Sequence, residues 1–168
     1  MEQKTQESKK GIGASLLRRE DGRYLSGKGR FIADMRFPGM LEMAFYRSPA
    51  AHARIERITK PTRHAGHVFT AADLTGVEGI RADSGLPGFR SSVLPILASE
   101  KVRHVGEPIV ACLAETRAEA EDIVDLVEVE LVDLPAVHEM TTALDADAPL
   151  VHDHWDKNAF LETEADTN

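Results

Sequence analysis

The stretch "VGEPIVACLAETRAEAEDIVDLVEVELVD", Val105–Asp133, holds three different periodicities in a row, and their order decides the fold. Ile109 to Ala114 is an unbroken apolar run bounded by Gly106-Glu107-Pro108, which predicts a buried strand. Thr116 with Glu119 three residues on forms a capping box: the threonine hydroxyl takes the N3 amide and the glutamate reaches back to the threonine amide. The helix this opens, "RAEAEDIVDLV", gathers Ala120, Ile123, Val124 and Val127 on one stripe and turns Glu121, Asp122 and Asp125 the other way. "VEVELVDLPAV" then alternates apolar and acidic residues through Leu131, the period of a strand with one wet face. A buried strand, a helix packed by one face and a half-wet strand together predict an α+β domain.

Working outward, "KVRH" reads as another short strand before the Gly-Glu-Pro turn. "MLEMAFYR", Met40 to Arg47, reads as a buried strand and "ARIERIT", Ala53 to Thr59, as a strand near a sheet edge. "RSPAAHARI" joins them, with Pro49 biasing Ser48 away from helix. "HVFTAAD" suits a short strand ending at Thr70, with Asp73 placed to cap a helical turn. Residues 75 to 95, rich in Gly and Pro, read as a long irregular loop of the kind that function or a partner orders. "LLRREDGRYLSGKGRFIADMRFPGM" is divided by Gly22, Gly27, Gly29 and Gly39 into short extended pieces, with regular helix disfavoured. Residues 1–12 read as a disordered arm. Beyond Pro149 the polar tail holds no element able to bury itself.

The net charge of −8 hides two halves of opposite sign: residues 1–104 carry 18 Lys/Arg against 11 Asp/Glu, and residues 105–168 carry 2 against 17. An acidic chain disfavours nucleic acid as partner, while the basic half suits an acidic surface of another protein. No apolar run approaches the roughly 18 residues that a membrane span needs. With no secretory h-region after "MEQKTQESKK", a cytoplasmic location is expected. The lone cysteine, Cys112, excludes intrachain disulfides and multi-cysteine metal sites and sits where a buried small hydrophobe belongs.

The search for chemistry ends without a catalytic set. Gly27-Lys28-Gly29 follows no apolar strand and completes no phosphate-loop pattern. No G-x-S-x-G places a nucleophile. His64 with His67, and His152 with His154, have usable metal spacings without a third ligand nearby in sequence. His52, His104 and His138 stand alone. Glu107, rigidly held in its turn, is expected to cap neighbouring amides, a ligand contact being the competing reading.

Taken together, "RREDGRYLSGKGRFIADMRFPGMLEMAFYRSPAAHARI", "VFTAADL", "LPILASEKVRHVGEPIVACLAE", "AEAEDIVDLVEVELVDLPAV" and "APLVHD" resemble the N-terminal α/β hammerhead domain of the molybdopterin-binding large subunit in the xanthine dehydrogenase, aldehyde oxidase and carbon monoxide dehydrogenase family. R-x-E-D-x-R-x-L-x-G-x-G, R-S-x-x-A-H-A-R-I and V-G-E-P occur in that order, and the likeness runs from about Gly13 to Asn158. The resemblance implies a mixed, mostly antiparallel sheet with about two helices over residues 13–150, and a linker or tail over 151–168 leading toward molybdenum-binding domains. The sequence departs from many relatives in a shorter segment after Lys60, so the first helix is expected to be reduced to a turn. Family members hydroxylate N-heterocycles or aldehydes, or oxidise carbon monoxide, with a molybdenum cofactor on domains further along the large subunit and with iron–sulfur and flavin subunits as electron acceptors. The expectation is therefore an assembly domain or split subunit of such an oxidoreductase, inactive alone, with no catalytic, cofactor or metal residues of its own and with molybdopterin on the missing domains or a partner chain. Arg47, His52, Arg54 and Glu107 are its candidate docking residues. A stand-alone adaptor that kept the fold is the alternative, and a small metal protein using His64, His67, His152 or His154 is a third.

Overall fold

The computed structural model describes Ile12 and residues 18–164, so the expected arm at 1–12 lies, but for Ile12, outside the described residues. Two compact units divide the chain, Met1–Met40 and Leu41–Asn168.

In the first unit, α1 (Asp21–Leu25) stands where only extended pieces were expected. Its existence despite Gly22 has a local cause. Gly27, at φ +69°, lets its own amide close onto the Tyr24 carbonyl at 3.1 Å and the Lys28 amide onto the Arg23 carbonyl at 2.9 Å, a Schellman ending. The Ser26 hydroxyl adds a bond to the Gly22 carbonyl at 2.7 Å. The two amides that a phosphate loop would have offered at Gly27-Lys28 are thereby spent. A 3₁₀ turn at Ile32–Asp34 follows, fixed by the Phe31 amide donating to Asp34 Oδ2 at 2.9 Å.

The second unit contains β1 (Glu42–Arg47), β2 (Ala53–Thr59), β3 (Val68–Phe69), β4 (Ile80–Arg81), β5 (Val93–Leu94), β6 (Lys101–Val102), β7 (Pro108–Ala114), α2 (Arg117–Asp125) and β8 (Glu128–Asp133). Among the described residues every strand pair is antiparallel, and three small sheets form, ordered β1-β7-β3, β6-β2-β8 and β4-β5. The α+β class stands, with the expected sheet resolved into these three.

β7 is central because its unbroken apolar run can be buried along nearly its whole length; Ile109, Val110 and Cys112 are fully enclosed. Pro108 sits at its first position, where a missing N–H is tolerated, opposite a register shift at Tyr46/Arg47. α2 lies against β1 and β7, anchored by the capping box: Thr116 Oγ1 accepts the Glu119 amide at 3.2 Å and Glu119 Oε2 accepts the Thr116 amide at 3.1 Å. Ala120, Ile123 and Val127 are buried and Val124 partly so, as the stripe predicted. The core joins these residues to Ala53, Val102, Ile55, Ile58, Val129 and Leu131 of the second sheet.

Four expectations are corrected here. β1 is a strand, but only Ala44 along it is buried, because it lies at the edge of its sheet. β2 is not at an edge: β8 pairs along it, and β6 joins it at Ala53 and Arg54. The irregular loop at 75–95 contains the β4-β5 ladder, extended by the Ala82 amide on the Ser92 carbonyl at 2.8 Å. The polar tail does bury a residue, Trp155, tilted against His152 at 4.3 Å and edge-on to Phe160 at 4.7 Å. The turn expected after Lys60 is a 3₁₀ helix over Thr62–His67, and the cap at Thr70 forms, its amide and hydroxyl donating to Asp73 Oδ2 at 2.7 and 2.8 Å.

Candidate docking site

The structure zips the connection between β1 and β2 onto the turn before β7. The Ser48 amide donates to the Glu107 carbonyl at 2.9 Å, the Gly106 amide donates back to the Ser48 carbonyl at 2.8 Å, and Arg47 Nη1 donates to the Gly106 carbonyl at 2.9 Å. Gly106 takes φ +85°, which only glycine adopts without strain, so the turn can face its amide toward Ser48. The Ser48 side chain is itself satisfied locally, bonding the Ala50 carbonyl at 2.8 Å. "RSPAAHARI" and "VGEP", far apart in sequence, are thus one joint.

Glu107 is the buried pin of that joint. Its side chain is 2% exposed, Oε2 accepts the Arg103 amide, and Oε1 lies 4.0 Å from Arg103 Nη1. The expected amide-capping role is what the side chain performs. His52, also buried, has Nδ1 2.7 Å from the Pro135 carbonyl; a carbonyl only accepts, so Nδ1 carries the proton. Nε2 is buried without a partner among the described residues. The His52 carbonyl accepts the Leu134 amide at 2.8 Å, so this residue ties β2 to the chain leaving β8 from both sides. Arg54 pairs with Glu56, because strand alternation puts residues two apart on the same exposed face.

Two features of this region were missed in the sequence. Lys101, almost fully buried, donates Nζ to Asp153 Oδ1 at 2.6 Å and so tethers the tail. Asn158 does the same with its amide, donating to the Ala143 and Pro149 carbonyls at 3.1 and 2.9 Å and accepting the Val151 amide at 3.0 Å. The aromatic spacing in "HDHWDKNAF" was the available signal. The lysine carried none, since a buried lysine looks like a surface one until its partner is known.

The histidine pairs part company. His64 and His67 lie three apart on a 3₁₀ turn, where such side chains eclipse, and both border a cleft of about 350 Å³ floored by Ala114, Ile123 and Leu126. His152 and His154 instead pack with Trp155, and burial, with help from Arg103, lowers the His152 pKa. No three His, Cys, Asp or Glu side chains among the described residues are placed to share a metal ion. Burial raises the Cys112 thiol pKa, which disfavours the reactive thiolate. A phosphate-bearing pterin does not fit the cleft: Glu115, Glu119 and Asp122 line it, with no Lys or Arg to meet the phosphate. In the second cleft, about 340 Å³ beside His52, the cations Lys101 and Arg54 are already paired with Asp153 and Glu56. Among the described residues no helix is long and apolar enough to cross a membrane.

Comparison with known proteins agrees with this geometry. The family model described as aldehyde oxidase and xanthine dehydrogenase, a/b hammerhead domain, matches residues 26–135. The nicotine 6-hydroxylase large subunit of Paenarthrobacter nicotinovorans is 42% identical over 133 residues, 75% of this chain and 16% of that protein. The carbon monoxide dehydrogenase large chain of Hydrogenophaga pseudoflava is 36% identical over 149 residues, 85% of this chain and 18% of that one. The crystal structure of quinoline 2-oxidoreductase from Pseudomonas putida 86 superposes with a TM-score of 0.78 at 41% identity, covering 91% of this chain and 20% of its counterpart. The chain spans a fifth or less of the length of these relatives. With more than half its residues matched by the family model, the chain belongs to the a/b hammerhead domain family of aldehyde oxidases and xanthine dehydrogenases.

Proposed function

We propose that this chain is a structural and assembly component of a molybdenum hydroxylase-type oxidoreductase, present as the first domain or a split subunit of the large subunit and without turnover of its own. The observation that carries the reading is the asymmetry of coverage: most of this chain aligns with a fifth or less of large subunits whose names denote hydroxylases and dehydrogenases. The clefts support it too, since neither offers the charge a molybdopterin phosphate requires. The cofactor belongs on the partner's large-subunit domains, and electrons leave through iron–sulfur and flavin subunits of the same complex. Arg47, His52, Arg54 and Glu107 serve docking: Arg47 and Glu107 brace the turn before β7, His52 holds β2 to the chain leaving β8, and Arg54 stays on the exposed face beside Glu56, so that the face presented to the partner domains keeps one shape. The assembly forms in the cytoplasm.

The test is co-expression with the chain carrying the molybdenum-binding domains, followed by purification through a tag on this chain, metal analysis and turnover assay. Molybdenum and dehydrogenase turnover in the complex, and neither in the chain alone, are expected. Stoichiometric molybdopterin on the purified lone chain overturns the proposal.

A further inference from the structure

The segment Arg18–Met40 is ordered without a core. Not one of its residues is buried, yet it carries Leu25 at 89% exposure, Ile32 at 86%, Phe37 at 64% and Phe31 at 63%. Its shape is held by local contacts: the Schellman closure of α1, the Asp34 cap and the stacking of Tyr24 on Phe31 at 5.6 Å. Gly29 passes so close to the Tyr24 ring that a Cβ there would lie 2.6 Å from Cδ1. Apolar side chains held outward in a fixed geometry cost solvation without return inside their own unit, and they have already lost the entropy that docking would charge.

Charge narrows what covers them. Residues 18–40 hold six Lys/Arg against three Asp/Glu. Of the three acids, Asp21 lies 3.7 Å from Arg18 and Asp34 is occupied by the Phe31 amide. Among the described residues the side chains of Arg19, Lys28 and Arg30 have no ion pair. A lipid surface suits this display poorly: the apolar residues are dispersed over a five-residue helix, a loop and a 3₁₀ turn with arginines between them, whereas an interfacial helix presents one long apolar face. A pocketed protein surface suits it well.

We infer that Arg18–Met40 is the docking element of this chain, seating Leu25, Ile32 and Phe37 in an apolar groove rimmed by carboxylates on the partner that carries the molybdenum-binding domains. The inference rests on the proposed function above and deepens it. It assigns the contact to a segment outside Arg47, His52, Arg54 and Glu107, whose side chains are engaged within their own unit.

The experiment compares three forms of the full chain, each co-expressed with the chain carrying the molybdenum-binding domains and each measured for complex dissociation by mass photometry at low and high salt. The wild type assembles. L25D/I32D/F37D weakens assembly by about 100-fold, as loss of a central apolar anchor does, while far-UV circular dichroism and the urea midpoint of the free chain stay unchanged because the three side chains are exposed. R19E/K28E/R30E weakens it by about tenfold at low salt and flattens the salt dependence. As a control, L126D/M140D, which alters exposed apolar residues of the other unit, leaves assembly as it was. Equal assembly of the wild type and L25D/I32D/F37D overturns the docking inference and leaves the proposed function standing. A wild type that does not assemble overturns both. Self-association of the free chain that L25D/I32D/F37D abolishes, or binding to vesicles of equal phosphatidylcholine and phosphatidylserine through the same residues, replaces the partner groove with a second copy or a lipid surface and overturns the assignment.

Discussion

Replacing Glu107 by alanine tests whether its carboxylate, by holding Arg103, shapes the turn whose backbone meets Ser48. The side chain is 2% exposed, and one oxygen accepts the Arg103 amide while the other faces the Arg103 guanidinium at 4.0 Å. A hydrogen bond to a charged group contributes about 1.5–3 kcal/mol. Relief of carboxylate burial offsets part of the loss, and the cavity left by the truncation adds to it, which together leave a net cost of about 2–3 kcal/mol. For a unit of this size, Leu41–Asn168, each kcal/mol lowers Tm by about 4 °C, so the midpoint falls by about 10 °C. Glu107→Gln keeps an acceptor oxygen in the same place and costs about 1 kcal/mol. Urea unfolding followed by circular dichroism reads both values, and hydrogen exchange of the Arg103 amide reads the bond itself. An alanine variant within about 0.5 kcal/mol of wild type would refute the reasoning. A glutamine variant as damaged as the alanine one would show that the charge facing Arg103, and not the amide cap, holds the joint.

Thr116→Ala removes the acceptor for the Glu119 amide at the start of α2 and is expected to cost about 1 kcal/mol in urea unfolding, with faster exchange of the first-turn amides; unchanged exchange there counts against the capping box. Asp73 is held at about 2, below the usual carboxylate value, first by the hydrogen bond from Lys60 at 2.7 Å and then by Thr70. A lowered folded pKa stabilises above the unfolded value and is lost as pH falls, here from roughly pH 4 toward pH 2. Lys60→Met should raise the Asp73 pKa in an NMR titration and shrink that acid-labile part of the stability, and an unmoved pKa defeats the assignment. Lys101→Met keeps the buried stem and removes the bond to Asp153, so the tail around Trp155 should open more readily by about 1 kcal/mol. As the sequence has one tryptophan, a rise in acrylamide quenching of its fluorescence reports the opening directly, and identical quenching in the two proteins rejects the tether.

What the sequence made legible follows physical range. α2 and its cap lie within one turn of the residues that signal them, and the alternation in β8 is a property of consecutive side chains; both read correctly from periodicity. The place of β2 between β6 and β8 depends on partners more than 40 residues away, and an alternating strand looks the same at an edge as in a middle. α1 was hidden because Gly22 lowers helix propensity, while the Schellman closure that restores it is a three-dimensional event around Gly27. At the site, Glu107 was readable as an amide cap because Gly and Pro fix its backbone. That Arg47 would reach the Gly106 carbonyl, 59 residues on, was not a local fact, whereas the pairing of Arg54 with Glu56, two residues on, follows from strand alternation.

The distribution of side-chain size bears on function as well. The enclosed positions of β7, β2 and α2 are filled by Ala, Val, Ile and Cys, and none of the six phenylalanines is buried; Phe31 and Phe37, with Leu25, Leu41 and Met43, are exposed. Small residues allow α2 to approach β1 and β7 closely, but they bury little apolar area per position, and burial scales with area at about 25 cal/mol per Å². A chain with Leu25, Phe31 and Phe37 outside keeps part of its available apolar free energy in reserve until a second surface covers them. Partner binding and folding are then linked: a partner that binds only the folded form at 100 times its Kd adds about 2.7 kcal/mol to stability. The lone chain should unfold at lower temperature than the same chain in the complex, by an amount that grows with partner concentration. That dependence separates a scaffold completed by assembly from an adaptor whose fold is complete alone, because the adaptor's midpoint would not move with the molybdenum-domain chain at any concentration.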